Sequence, residues 1–172
     1  MAPKMVRAPG REARFTVLIV GEGLAECCFL SHLKSLFLAR ASGRSVQVKD
    51  AKGKGGKGVL DYTIRQRNAA AYDHVAALLD TDAAWDDQQR KRARQAKVQV
   101  LESNPCLEAV LLCLHGVEPP TDAESCKLRF EQRFGGHAHD PTVYARHFGH
   151  DFCAAARQRH PMLNEVLCLL GS

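Results

Sequence analysis

Glu22, Glu26, Asp80, Asp82 and Glu108 are acids placed where a folding chain rarely spends charge. Glu22 stands in Gly21-Glu22-Gly23, directly after the apolar run FTVLIV. Asp80 closes the run HVAALLD, and Asp82 follows two positions later, so in extended chain both side chains point the same way. Glu26 extends the stripe Leu30, Leu33, Phe37 backwards by one step, which sets a charge on the core-facing side of a helix's first turn. Glu108 is the only charge in LEAVLLCL. Buried carboxylates are too costly to leave uncompensated, so the cluster calls for basic partners or a divalent cation. Mg²⁺ suits such oxygen donors, with Mn²⁺ as a substitute. Such a cation site fits phosphodiester hydrolysis, in which metal ions roughly 3.5 to 4 Å apart neutralise the phosphate and activate water. Each acid also has a plainer role: Glu22 and Glu26 favour a helix N-terminus, and Asp82 caps the helix that follows.

Two basic groups offer phosphate contacts. Lys52, Lys54 and Lys57 lie in AKGKGGKG, and Arg90, Lys91, Arg92 and Arg94 form a second cluster. Both are equally readable as solvated surface. Other motifs fall away on inspection. Gly21-Glu22-Gly23 lacks the third glycine of a dinucleotide fingerprint, since Glu26 occupies that place. Gly53 to Gly58 has the glycine spacing of a P-loop, but Val59 and Leu60 follow where Lys and Ser or Thr are required. His137, His139 and Asp140 are too few donors for zinc without nearby cysteines. Cys106 and His115 lie about two and a half turns apart on one helix, too far for a nucleophile and its base.

The elements that must position the acids read as alternating strands and helices. Phe15 to Val20 is apolar throughout, the pattern of a parallel strand buried on both faces, and Asp73 to Leu79 is a second. Helices are expected over Leu24 to Ala39, Val59 to Ala71, Ala84 to Ala96 and Leu107 to Leu114, with strands at Ser45 to Lys49 and Val98 to Leu101. Asn104 is expected to cap the fourth helix, with Pro105 at its first position. The lysine and glycine stretch reads as a loop that packing does not order. This alternation predicts an α/β protein with a mostly parallel, Rossmann-like central sheet flanked by helices over residues 15–116, followed by a helical C-terminal extension over 117–172. Acids at strand ends then meet at the sheet's C-terminal edge, where parallel sheets gather their functional residues.

Bulk properties narrow the class. A chain of 172 residues, 45% hydrophobic, suffices for one core. A net charge of +5 with pI near 8.9 favours acidic partners such as DNA or RNA. Residues 1–14 carry Lys4, Arg7, Arg11 and Arg14 among prolines and glycine, the composition of a flexible basic arm. No run reaches the roughly 20 apolar residues of a membrane helix, and no apolar segment follows the N-terminus, so a cytoplasmic location is expected. Seven cysteines without framework spacing read as buried thiols in a reducing compartment.

The string VLIVGEGLAE, followed by LLDTD at a strand end, resembles the Toprim domain of topoisomerases, primases and overcoming-lysogenization-defect (OLD) type nucleases. The later SNPCLEAVLLCLHG is similar to the RloB-like family of small Toprim-like proteins from restriction and phage-defence loci. The resemblance covers about Phe15 to His115. It implies a Toprim-like fold and a Mg²⁺-dependent nuclease, with Glu22, Asp80 and Asp82 as catalytic and metal-binding residues. Glu26 would be a second-metal ligand and Glu108 a further ligand. Two alternatives from other classes stay open. One is a catalytically silent or partner-licensed subunit binding an ATPase or nucleic acid, for which Phe130, Phe134, Phe148 and Phe152 offer a docking surface if they are not core. The other is a metal-dependent phosphatase acting on a small nucleotide.

Overall fold

A computed structural model describes residues 15–81 and 85–172. The arm expected over residues 1–14 and the candidate ligand Asp82 lie outside the described residues. Four strands, β1 (Phe15–Gly21), β2 (Arg44–Asp50), β3 (His74–Asp80) and β4 (Gln99–Ser103), form one sheet in the order β2-β1-β3-β4, every neighbour pair parallel. The two strands read as apolar on both faces, β1 and β3, are the central adjacent pair. Val17 to Val20 and Val75 to Leu79 are almost completely buried. From β1 the chain first steps outward to β2, then returns across β1 to lay down β3 on its other side. The switch point of this α/β sheet therefore falls between β1 and β3, where such sheets bind ligands.

Helices cover both faces. α1 (Leu24–Phe37) and α4 (Leu107–Leu114) pack on one face, where Phe29, Leu30, Leu33, Val110 and Leu111 meet Val17, Ile19 and Leu78. α2 (Gly55–Ala69) and α3 (Asp87–Gln95) cover the other, where Val59, Leu60 and Ala93 join Leu18, Val20 and Leu79. α5 (Ala123–Phe134), α6 (Pro141–His147), α7 (His150–Ala156) and α8 (Pro161–Leu170) complete the first face. Phe130, Phe134, Tyr144, Phe148 and Leu163 belong to the same core as β1 and β3, so the C-terminal helices complete that core. Phe152 is partly buried against it. Among the described residues, no helix is long and apolar enough to cross a membrane.

Several local expectations are corrected. The lysine and glycine stretch is ordered: α2 begins at Gly55, and residues before it are stitched to the end of β1 by Ala51 N–H to Gly21 O (3.0 Å) and Gly53 N–H to Glu22 O (2.7 Å). The glycines there permit close packing. A Cβ on Gly56 would lie 3.1 Å from Cε3 of the buried Trp85. α3 starts at Asp87, three residues later than expected at Ala84, because Asp86 caps it by accepting from Gln89 N–H at 2.9 Å. Asn104 does not cap α4; that position falls to Cys106, the Asn104–Pro105 peptide is cis, and the Asn104 side chain bonds Thr81 instead. The buried-thiol reading holds for Cys106, Cys126 and Cys153, is met only halfway at the half-buried Cys27, Cys28 and Cys113, and fails at Cys168, which is exposed on the outer side of α8.

Candidate active site

The acids converge because the parallel topology ends β1, β3 and β4 side by side. Gly21 lies opposite Leu78 and Asp80 opposite Ser103. Paired positions in parallel strands share a face, so Asp80 and Ser103 both turn toward the side covered by α1 and α4. Glu22 follows β1 and returns its Oε2 to accept from the Asp80 N–H at 3.0 Å. Glu26, in the first turn of α1, is buried over Gly21, where an added Cβ would fall 2.9 Å from the Glu26 Cβ and the Cys27 Sγ. Only glycine at 21 lets α1 approach the strand this closely. Its Oε2 accepts from Gly23 N–H at 2.9 Å, so Glu26 also serves the helix N-terminus. Asp80 Oδ1 accepts from Leu107 N–H at 3.1 Å, which fastens the start of α4 to the end of β3 and holds the buried Glu108 nearby.

The electrostatics record this crowding. Burial pushes the Asp80 carboxyl from its ordinary 3.8 up to about 8, with repulsion from Glu26, Glu22 and Glu108 adding to the rise and Lys127 opposing it. Burial also raises Glu26, and repulsion from Glu22 and Glu108 adds to that, against the hydrogen bonds at its own and Gly23 N–H groups. Beside them the Ser103 hydroxyl is fully buried with no hydrogen-bond partner among the described residues.

The donor chemistry suits a hard divalent cation: four carboxylates, short of positive charge, at one edge of the sheet. The geometry is less complete. Glu22, Glu26 and Asp80 each commit one oxygen to a backbone N–H, and among the described residues no three His, Cys, Asp or Glu side chains converge as a metal-holding group. Glu26 is held by its own backbone N–H as well, and Asp82 belongs to the segment outside the described residues.

The basic candidates divide. Lys52, Lys54 and Lys57 are exposed on the loop and first turn of α2, a segment tied to the backbone of Glu22. In the second cluster, Arg90 pairs with Glu102 at 2.8 Å and with Asp87 at 3.2 Å, while Arg92 pairs with Asp61 at 2.5 Å. Glu102 also accepts from the Trp85 indole N–H at 2.7 Å. Arg90 and Arg92 thus brace α3 against β4 and α2, leaving Lys91 and Arg94 as the exposed members. His115 is enclosed by Phe134, Phe148 and Phe152, and burial raises the Cys106 thiol far above its ordinary 9.0; both are structural.

One residue beside the acids has no local sequence signal. Lys127 on α5 lines a cleft of about 260 Å³ together with Glu108, and reaches it only because α5 packs on α4. Ser103 was equally silent, since a serine at a strand end is ordinary until its neighbours are known. Comparison with protein-family models, with curated proteins and with solved structures found no match.

Proposed function

We propose that this chain is a Mg²⁺-dependent nuclease that hydrolyses a phosphodiester of DNA or RNA at the Glu22, Glu26, Asp80, Asp82 and Glu108 cluster. The observation that carries the reading is the gathering of Glu22, Glu26, Asp80 and Glu108 at the switch point, with the Asp80 carboxyl raised to about 8 by burial and like charge. Such a cluster is costly without a cation, and the sequence resemblance to Toprim and RloB-like proteins points to the same acids. A bound divalent cation would offset phosphate charge and activate water. The chain's own contribution is placement: backbone N–H groups orient three of the carboxylates, and the lysines at 52, 54 and 57 flank the strand end as phosphate contacts. A role in phage defence follows from the resemblance alone.

One observation favours a second reading. Glu22, Glu26 and Asp80 are turned to backbone donors, and no three-donor group is assembled among the described residues. A subunit licensed by an ATPase or nucleic-acid partner would have such an incomplete site until engaged. The test incubates the purified chain with single-stranded DNA, duplex DNA and tRNA in Mg²⁺, Mn²⁺ or chelator. Metal-dependent products support the nuclease. No product with any substrate refutes the autonomous nuclease and leaves the licensed subunit.

A further inference from the structure

The cleft that Glu108 shares with Lys127 continues along α5 and the turn into α6, lined there by Glu131, His137 and His139. Its lining mixes charge: Glu108, the member of the acid cluster that reaches it, is buried, while Lys127, His137 and His139 are exposed. Lys127 has no ion-pair partner among the described residues. A volume of about 260 Å³ is small for a drug-sized ligand and admits a phosphate with part of its sugar.

The histidines are held in place. The Tyr144 hydroxyl, fully buried, donates to the carbonyl of Ala138 at 2.6 Å, pinning the middle of the His137–His139 turn to the core. Asp140 caps α6 by accepting from Thr142 N–H at 2.8 Å, which fixes the far end. The two rings stack with centroids 5.1 Å apart, and His137 Nδ1 lies 2.7 Å from Glu131 Oε1. With Nδ1–H donated to that carboxylate, Nε2 is the nitrogen left to exchange a proton with a ligand. A histidine oriented by a carboxylate at the rim of a cleft is the arrangement general acid catalysis needs.

We propose, building on the nuclease reading above, that this cleft is the leaving-group side of the active site and that His137 is the proton donor to the departing oxygen. The attacking water forms the new P–O bond and yields its proton to bulk solvent. The P–O bond to the leaving oxygen breaks, its electron pair stays on that oxygen, and the oxygen takes the proton from His137 Nε2. Imidazolium becomes neutral imidazole, still donating Nδ1–H to Glu131, and is reprotonated by solvent, to which its half-exposed ring is open. Glu131 is a positioning residue, and Lys127 holds the phosphate against the acids.

The test compares leaving groups on the full chain in Mg²⁺ or Mn²⁺. A nucleotide alkoxide needs a proton to depart, whereas p-nitrophenolate does not. His137→Gln should lower kcat on an oligonucleotide about 100-fold or more while changing the rate on bis(p-nitrophenyl) phosphate less than about threefold. Equal loss on both substrates, or no loss on the oligonucleotide, overturns the proton-donor role while leaving the nuclease reading intact. Failure of the parent to cut any oligonucleotide overturns both. Because His137 is exposed, the variant should keep the parent's thermal midpoint, so a folding defect is separable from a catalytic one.

Discussion

Replacing Asp80 by Asn should stabilise the metal-free protein at alkaline pH, although it removes a charge the proposed reaction needs. The Asp80 carboxyl moves from an ordinary 3.8 to about 8 on folding. Below about pH 4 it is protonated in both folded and unfolded chains, and the folded state bears no cost. Between about 4 and 8 the unfolded chain releases the proton while the folded one retains it, so stability falls by about 1.4 kcal/mol per pH unit until the loss is complete above 8. That amounts to about 4 kcal/mol at pH 7 as an upper bound. Glu22, Glu26 and Glu108 share the repulsion, and a buried amide still needs hydration or partners, so Asn should recover about 2 kcal/mol. The Asn Oδ1 can keep the bond from Leu107 N–H, so α4 should stay anchored. For a domain of this size the gain corresponds to roughly 4 to 8 °C in Tm. Thermal unfolding by circular dichroism, in chelator at pH 5 and pH 8, measures it: the variant should exceed the parent at pH 8, and the gap should shrink at pH 5. Adding Mg²⁺ should raise the parent's Tm more than the variant's. An identical Tm for both proteins at both pH values would refute the claim that the cluster is crowded and unpaired.

Glu22→Gln and Asp82→Asn should each reduce metal-dependent cleavage by about two orders of magnitude or more, read on gels against the parent, with folding unchanged. Glu26→Gln should lose less and recover in part at higher Mn²⁺, as expected for a residue that also serves the α1 N-terminus. Neutralising Lys52, Lys54 and Lys57 together should flatten the dependence of log Kd on log salt by about 0.7 to 0.9 for each lysine that meets a phosphate, measured by fluorescence anisotropy. Arg90→Ala should instead lower thermal stability through Glu102 and Trp85 and keep that slope near the parent's. Gly21→Ala should cost about 1 to 3 kcal/mol in urea unfolding and reduce cleavage, because its Cβ would displace the first turn of α1 and Glu26 with it.

The sheet was legible in the sequence because its central strands are apolar on both faces, a pattern that burial in a parallel sheet produces. Its ends were legible too: Glu22 and Asp80 stand at the ends of those strands, and parallel strands bring such residues to one edge. Glu26 and Glu108 could be read as misplaced charges, since helix periodicity alone sets them among apolar positions. What only the tertiary structure decided depends on neighbours distant in the chain. The glycine and lysine stretch looked unordered until Trp85 lay over Gly56, where an added Cβ would be a tight 3.1 Å contact. The cluster of Arg90, Lys91, Arg92 and Arg94 read equally as phosphate contacts or solvated surface until Glu102 and Asp61 stood beside Arg90 and Arg92. His137 and His139 carried no more than a weak hint of metal, and Lys127 no hint at all. Their place on a cleft shared with Glu108 comes from α5 packing on α4 and from one buried tyrosine holding a turn, interactions that local composition does not encode.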